Sequence, residues 1–175
     1  MKNLKYILRL TLTLLLITAV VAGLLGLVNY LTEDKIAALT KAKAENAMQE
    51  VLPAAHYEPI AHSMDGVAEA YRADELGYVV RVNVNGFGGA IDMMVGVGTD
   101  GKVRGVSIIS HSETASLGAN CVREDFRAQY IGADGALAVR KDGGTVDALT
   151  GATVTSRAVT NGVNLALAFV KEVAG

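Results

Sequence analysis

The sequence predicts an α+β fold: a single N-terminal transmembrane helix, followed by one domain in which a small antiparallel sheet is flanked by helices. Three observations carry this expectation. Residues 10–32 run without a charge. Between residues 67 and 111, apolar positions alternate at period two and are broken by turn residues, the pattern of half-buried strands. Residues 156–173 return to helical spacing. At 175 residues the chain fits one globular domain plus an accessory segment. Its 51% hydrophobic content and mean hydropathy of +0.33 reflect a local excess in the first thirty residues.

The uncharged run begins after Lys2, Lys5 and Arg9. As a helix it reaches about 35 Å, enough to cross the hydrocarbon core. A cleavable signal peptide is the competing reading, with Val20-Val21-Ala22 as the cleavage region. Against it, the apolar run continues through Leu24, Leu25, Leu27 and Val28. Basic residues precede the span and Glu33 and Asp34 follow it, which predicts a cytoplasmic N-terminus and an extracytoplasmic domain. Tyr30 then sits at the outer interface. The expected segments are 1–31 for the N-terminus and membrane helix, 32–60 for a connecting helix and linker, and 61–175 for the outer domain.

After the span, Ile36, Leu39, Ala42, Ala47 and Val51 follow helical spacing. Thr32 before Glu33 and Asp34 has the character of a helix start, yet the helix is expected to continue the membrane span and hand the chain to the domain, with Pro53 ending it. Pro53 and Pro59 bracket an irregular link. Strands are expected over 67–73 and 77–86, the latter with Tyr78, Val80, Val82 and Val84 on one face. Residues 90–111 read as a hairpin turning at Thr99-Asp100-Gly101-Lys102, with Val103, Val106 and Ile108 on the return. A short helix is expected over 121–132, with Val122, Phe126 and Tyr130 on one face. Short strands and turns follow over 134–149, and then the closing helix.

Sixteen basic residues against 18 acidic ones leave a net charge of −2, and no basic patch interleaved with aromatics exists, so nucleic acid is excluded as the expected partner. One cysteine, Cys121, excludes an internal disulfide and a cysteine-ligated cluster. His56, His62 and His111 lack metal-ligand spacing. Gly86, Gly88 and Gly89 around Phe87 fit a bulge or tight turn, not a dinucleotide fingerprint, because no helix follows. His111, Glu113, Thr114, Ser116, Leu117 and Gly118 form a polar stretch that fits either a loop closing over a ligand or a solvated turn. In "DALTGATVTSRAV" (147–159), Thr153 or Thr155 can cap the last helix while Gly151 permits a tight turn. The surplus hydroxyls there also fit an anion site at a helix start.

Asp147, Thr150, Gly151, Ala152 and Thr153 match the pattern D-x-x-[S/T]-G-A-T, and with it the chain resembles the covalent FMN-binding domain family. The order of anchor, "GFGGAIDMMVGVGTDGKVRGVSIISHSET", "LGAN" and the GAT box resembles the G subunit of the Rnf ion-translocating ferredoxin:NAD oxidoreductase complex. The C subunit of the sodium-pumping NADH:quinone oxidoreductase shares this plan but is usually longer. The resemblance implies an electron-transport flavoprotein of the inner or plasma membrane, with FMN joined by a phosphoester to Thr153. It implies as partners the other Rnf subunits and a Mg-dependent flavin transferase that takes FMN from FAD. Asp147, Leu149, Thr150, Gly151, Ala152 and Thr155 are the expected neighbours of the attachment, and Glu113, Thr114, Leu117 and Gly118 the expected flavin lining. No catalytic acid–base pair and no metal ligand is expected. A membrane-anchored flavin sensor without redox turnover is the reading from another functional class. Where the family usually has Pro-Gly after "HSET", this chain has Ala115-Ser116, which implies a less rigid loop.

Overall fold

The structure is a computed structural model that describes residues 2–174, apart from the side chains at positions 2, 3 and 37. Met1, Gly175 and the Lys2 side chain of the expected basic flank lie outside the described residues. The chain divides into two units, Met1–Lys41 and Ala42–Gly175.

Helix α1 (Lys2–Val51) accounts for the first unit and contributes residues 42–51 to the second. It is long and apolar enough to cross a membrane, with a mean hydropathy of 2.5 in its most apolar window. The threonines of the apolar run do not interrupt it, because each hydroxyl donates to a carbonyl of the preceding turn. Thr11 bonds Ile7 O at 3.0 Å, Thr13 bonds Arg9 O at 2.9 Å and Thr18 bonds Leu14 O at 3.0 Å. A hydroxyl satisfied on its own helix needs no partner from lipid. Thr32 behaves the same way, donating to Val28 O at 2.8 Å, so it lies within the helix and does not start one. Acidic residues after a threonine mark a cap only where the preceding residues are non-helical; here they are helical, and the connecting helix continues the apolar run as expected.

The second unit is built on a five-stranded antiparallel meander in the order β1-β2-β3-β4-β5. Its strands are β1 (Tyr57–Pro59), β2 (Val67–Ala73), β3 (Gly77–Asn85), β4 (Ala90–Gly98) and β5 (Val103–His111). The hairpin expected over 90–111 is present and turns through Gly101 at φ 75°. β1 falls in the segment expected to be irregular. It is short, and Pro59 is tolerated because the strand lies at the sheet edge.

Both faces of the central strands are covered. On one face, Val80, Val82, Met93 and Val95 pack with Val159, Val163, Ala166 and Phe169 of helix α3 (Thr153–Ala174). Gly162 lets this helix lie close, since a Cβ there would meet Met93 Sδ at 2.7 Å. On the other face, Ala44, Ala47, Met48 and Val51 pack with Ala73, Val79, Met94 and Ile109. This is why β4 reads as a nearly continuous apolar run while β3 alternates. The end of α1 is also tied by charge: Glu50 accepts from Ser107 Oγ at 2.6 Å and from Arg127 Nη1 at 2.6 Å.

Two expected elements differ. Residues 121–132 do not form one helix but a 3-10 turn (Gly118–Val122), helix α2 (Glu124–Arg127) and a second 3-10 turn (Ala128–Tyr130). Phe126 and Tyr130 are buried as expected, with rings edge to face at 5.7 Å, but Val122 is exposed. Arg123 between them is extended, at φ −66° and ψ 140°, and this break takes Val122 off the shared face. Residues 134–149 contain no strand. They hold one isolated bridge, Val139 to Val146, and a 3-10 turn (Arg140–Asp142) that reverses through Gly143 at φ 86°. With Gly135, Gly143 and Gly144 in so short a stretch, the backbone loses too much freedom to extend.

Candidate functional site

The GAT box is a turn welded to a helix start. The Ala152 amide donates to Leu149 O at 2.9 Å, and Gly151, third in this four-residue turn, has φ 74°. That is the arrangement of a type II turn, which selects glycine at this place. Ser156 locks the turn to the helix. Its hydroxyl accepts the Leu149 amide at 2.9 Å and donates to Ala152 O at 3.0 Å. α3 starts at Thr153, three residues before the expected start at Ser156. The helix therefore leaves the amides of Thr153, Val154 and Thr155 without helical acceptors.

The two threonines have different environments. Thr155 is fully buried, and its hydroxyl donates to Glu113 Oε2 at 2.6 Å, so it does not cap the helix. The Thr153 hydroxyl makes no hydrogen bond among the described residues and faces a cleft of about 390 Å³. Neither threonine is the cap the sequence suggested; the side chain that serves the turn is Ser156.

Glu113 is the hub of the site. Its side chain is buried, at 9% exposure, and it accepts from three donors on two elements. The amides of Phe87 and Gly88 donate to Oε1 at 2.8 and 3.1 Å, and Thr155 donates to Oε2. A buried carboxylate is sustained only with such saturation. The close packing requires glycine at two places, because a Cβ on Gly86 or Gly118 would run into Glu113. His111 Nδ1 accepts the Glu113 amide at 3.2 Å. Nearby Cys121 is fully buried, and burial, with a smaller contribution from the charge of Glu113, pushes its thiol up to about 11.

The cleft brings together Glu113, Thr114, Leu117, Gly118, Gly151, Ala152, Thr153 and Thr155 from the residues expected by sequence. Phe87 and Val154 complete its lining and were not anticipated. Phe87 is 73% exposed, and a large aromatic left in solvent on a glycine-rich turn is the signal that identifies it. Asp147, Leu149 and Thr150 line a second hollow with Asn120, Arg123 and Gln129, and Leu117 lines both. Asp147 is exposed and paired with Arg140 at 2.5 Å, while its amide donates to Gln129 Oε1 at 2.7 Å. The predicted residues thus divide between two hollows. Among the described residues, no three His, Cys, Asp or Glu side chains gather within metal-binding reach.

The arrangement offers an unpartnered hydroxyl and helix-start amides beside apolar walls, which suits an amphipathic ligand with an anionic end and a flat apolar body. Comparison with known proteins points the same way. Residues 86–168 match the family described as FMN-binding domain, and residues 1–51 match the RnfG N-terminal region. The G subunit of the proton-translocating ferredoxin:NAD(+) oxidoreductase complex of Clostridium ljungdahlii is 36% identical over 87% of this chain and 86% of its own length. The G subunit of the ion-translocating oxidoreductase complex of Methanosarcina acetivorans is 34% identical over 97% of each chain. The G subunit of the Na(+)-translocating ferredoxin:NAD(+) oxidoreductase complex of Acetobacterium woodii is 32% identical over 93% of this chain and 91% of its own. Among solved structures, the C subunit of the Na(+)-translocating NADH-quinone reductase of Parabacteroides distasonis aligns with a TM-score of 0.51 at 18% identity. It covers 74% of this chain and 82% of that one, a likeness of fold.

Proposed function

The chain belongs to the RnfG family, the G subunits of ion-translocating oxidoreductase complexes, and from that premise we propose that it is the electron-carrying subunit of a membrane-bound ferredoxin:NAD(+) oxidoreductase, with FMN joined by a phosphoester to Thr153. The observation that carries the attachment is the contrast between two hydroxyls of one motif. Thr155 is buried and engaged, while Thr153 stands unpartnered in an apolar cleft at a helix start.

The residues present fit the group. Amides of the first turn of α3, with the positive end of its dipole, stabilise a phosphodiester anion. Phe87, Leu117 and Val154 supply apolar surface for the ring system. FMN supplies reversible one- and two-electron transfer, so the chain itself needs no acid–base pair. Its own task is to hold the cofactor, exclude water from part of it and keep Thr153 accessible during maturation. The Gly151 turn does the last, presenting the hydroxyl beside small Ala152 and outside the packed core.

Attachment forms a bond from Thr153 Oγ1 to phosphorus and breaks the pyrophosphate of an FAD donor, with AMP as the leaving group. A Mg-dependent flavin transferase supplies the base that takes the hydroxyl proton. Asp147, Leu149 and Thr150, which line the second hollow, serve as the surface that enzyme reads. The N-terminus is cytoplasmic and the domain extracytoplasmic, which explains a covalent link where no cytoplasmic flavin pool replaces a lost cofactor. The other members of the complex are the redox partners.

The test is intact-protein mass after co-expression of the full chain with a flavin transferase. The expected gain is one FMN less one water, with in-gel fluorescence surviving denaturation. Thr153→Ala abolishes both and, in the assembled complex, ferredoxin-dependent NAD reduction. Thr155→Ala keeps the label. A wild-type chain without the mass gain, or a labelled Thr153→Ala variant, overturns the assignment.

A further inference from the structure

The geometry points to Glu113 as the positioning residue of the cleft: its buried carboxylate clasps the Phe87 turn to the start of α3 and thereby sets the Phe87 ring as an aromatic wall for the bound ring system. This rests on the reading of Thr153 as the flavin attachment.

The turn of residues 86–89 joins β3 to β4 and is closed by the Gly86 amide donating to Gly89 O at 2.8 Å. Three glycines leave it little intrinsic rigidity. Its remaining inward amides, those of Phe87 and Gly88, both end on Glu113 Oε1, and Oε2 takes the Thr155 hydroxyl, 42 residues further along the chain. One carboxylate therefore spans turn and helix, and charge-assisted bonds of this kind are about twice as strong as neutral ones. Gly118 and Gly86 leave room for the carboxylate and nothing larger. Phe87 itself has no core role. It is the most exposed aromatic of the second unit and lines the same cleft as Thr153. An aromatic left in water on a pinned turn, beside the exposed apolar side chains of Leu117 and Val154, is placed to cover a planar ligand.

Two readouts on the full chain in detergent test this. Hydrogen–deuterium exchange of the segment 84–91 in unflavinylated protein reads the clasp, with β4 and β5 peptides as internal reference. Iodide quenching of the attached flavin reads the wall. Glu113→Ala raises exchange of the turn at least tenfold over the reference and raises quenching severalfold, with the flavin still attached. Glu113→Gln, whose amide oxygen still accepts both backbone amides, restores both towards wild type. Phe87→Ala raises quenching without loosening the turn. Should Glu113→Ala destabilise the whole sheet, the Gln variant and Phe87→Ala still decide. Exchange within twofold of wild type in Glu113→Ala refutes the clasp, and unchanged quenching in Phe87→Ala refutes the wall. A wild-type protein that takes up no covalent flavin sinks the Thr153 assignment and the wall together, and leaves the clasp to be judged by exchange alone.

Discussion

Replacing Thr155 by valine removes one hydroxyl and keeps the shape of the side chain, so its cost can be worked from one contact. The Thr155 hydroxyl donates to Glu113 Oε2 at 2.6 Å, with Thr155 at 0% and Glu113 at 9% exposure. A hydrogen bond to a charged group contributes about 1.5–3 kcal/mol, and the carboxylate oxygen stripped of its donor stays buried. We expect Thr155→Val to destabilise the unflavinylated protein by about 2–3 kcal/mol. With a urea slope of about 1–3 kcal/mol/M, the midpoint falls by about 1 M. Thr153→Val is the control. Its hydroxyl makes no bond among the described residues, so the change stays within about 0.5 kcal/mol while flavin attachment is lost completely. The assay is urea unfolding of the detergent-solubilised chain, followed by near-ultraviolet circular dichroism of its six tyrosines. Equal midpoints for the two variants, or a Thr155→Val shift under about 0.3 M, would refute this division of labour.

Gly151→Ala forces a Cβ into a left-handed φ of 74° and towards Leu117 Cδ2 at 3.0 Å, with an expected loss of about 1–2 kcal/mol. It should also slow flavin attachment measured by mass, with Gly151→Asn less affected. At Glu50, burial works to raise the carboxyl pKa, but hydrogen bonds from Ser107 and Arg127 and the Arg127 charge outweigh it and hold the group below its ordinary 4.5. A lowered folded value means stability that is present above about pH 4.5 and lost as the pH falls through the folded pKa. The stability gap between wild type and Glu50→Gln should therefore close between neutral and strongly acidic pH. Because Glu50 is half exposed and screened by solvent, that gap is under about 1 kcal/mol. Cys121, buried and with its thiol pushed up to about 11, should resist iodoacetamide at pH 8 in the native protein. Labelling should rise only in step with urea unfolding, and fast native labelling would contradict its burial.

The GAT turn was readable because its information is local. Gly151 answers to its own φ, and Thr150 to Thr153 follow one another along a short run of chain. The period-two strands were readable for a similar reason, since alternation records which side of a sheet is covered. Val122 shows the limit: it follows the same spacing as Phe126 and Tyr130 but is exposed, because the extended break at Arg123 leaves no trace in the apolar pattern. β1 was hidden for another reason, as a three-residue edge strand owes its existence to the neighbour it pairs with.

By itself the sequence determined the apolar span, the order of strands and the motif that offers Thr153, because each depends on neighbours within a few residues. The tertiary structure decided what those residues face. Only folding brings Glu113 to Thr155 across 42 positions and to the amides of the Phe87 turn. It also sets Val51 against Gly96 and Gly105, where a Cβ would collide with the helix backbone. Side-chain spacing records helix and strand period, whereas a buried carboxylate's partners are chosen by proximity in space. That is why two threonines of one short motif read alike in the chain and differ in the fold, one locked to a buried acid and the other left free in the cleft.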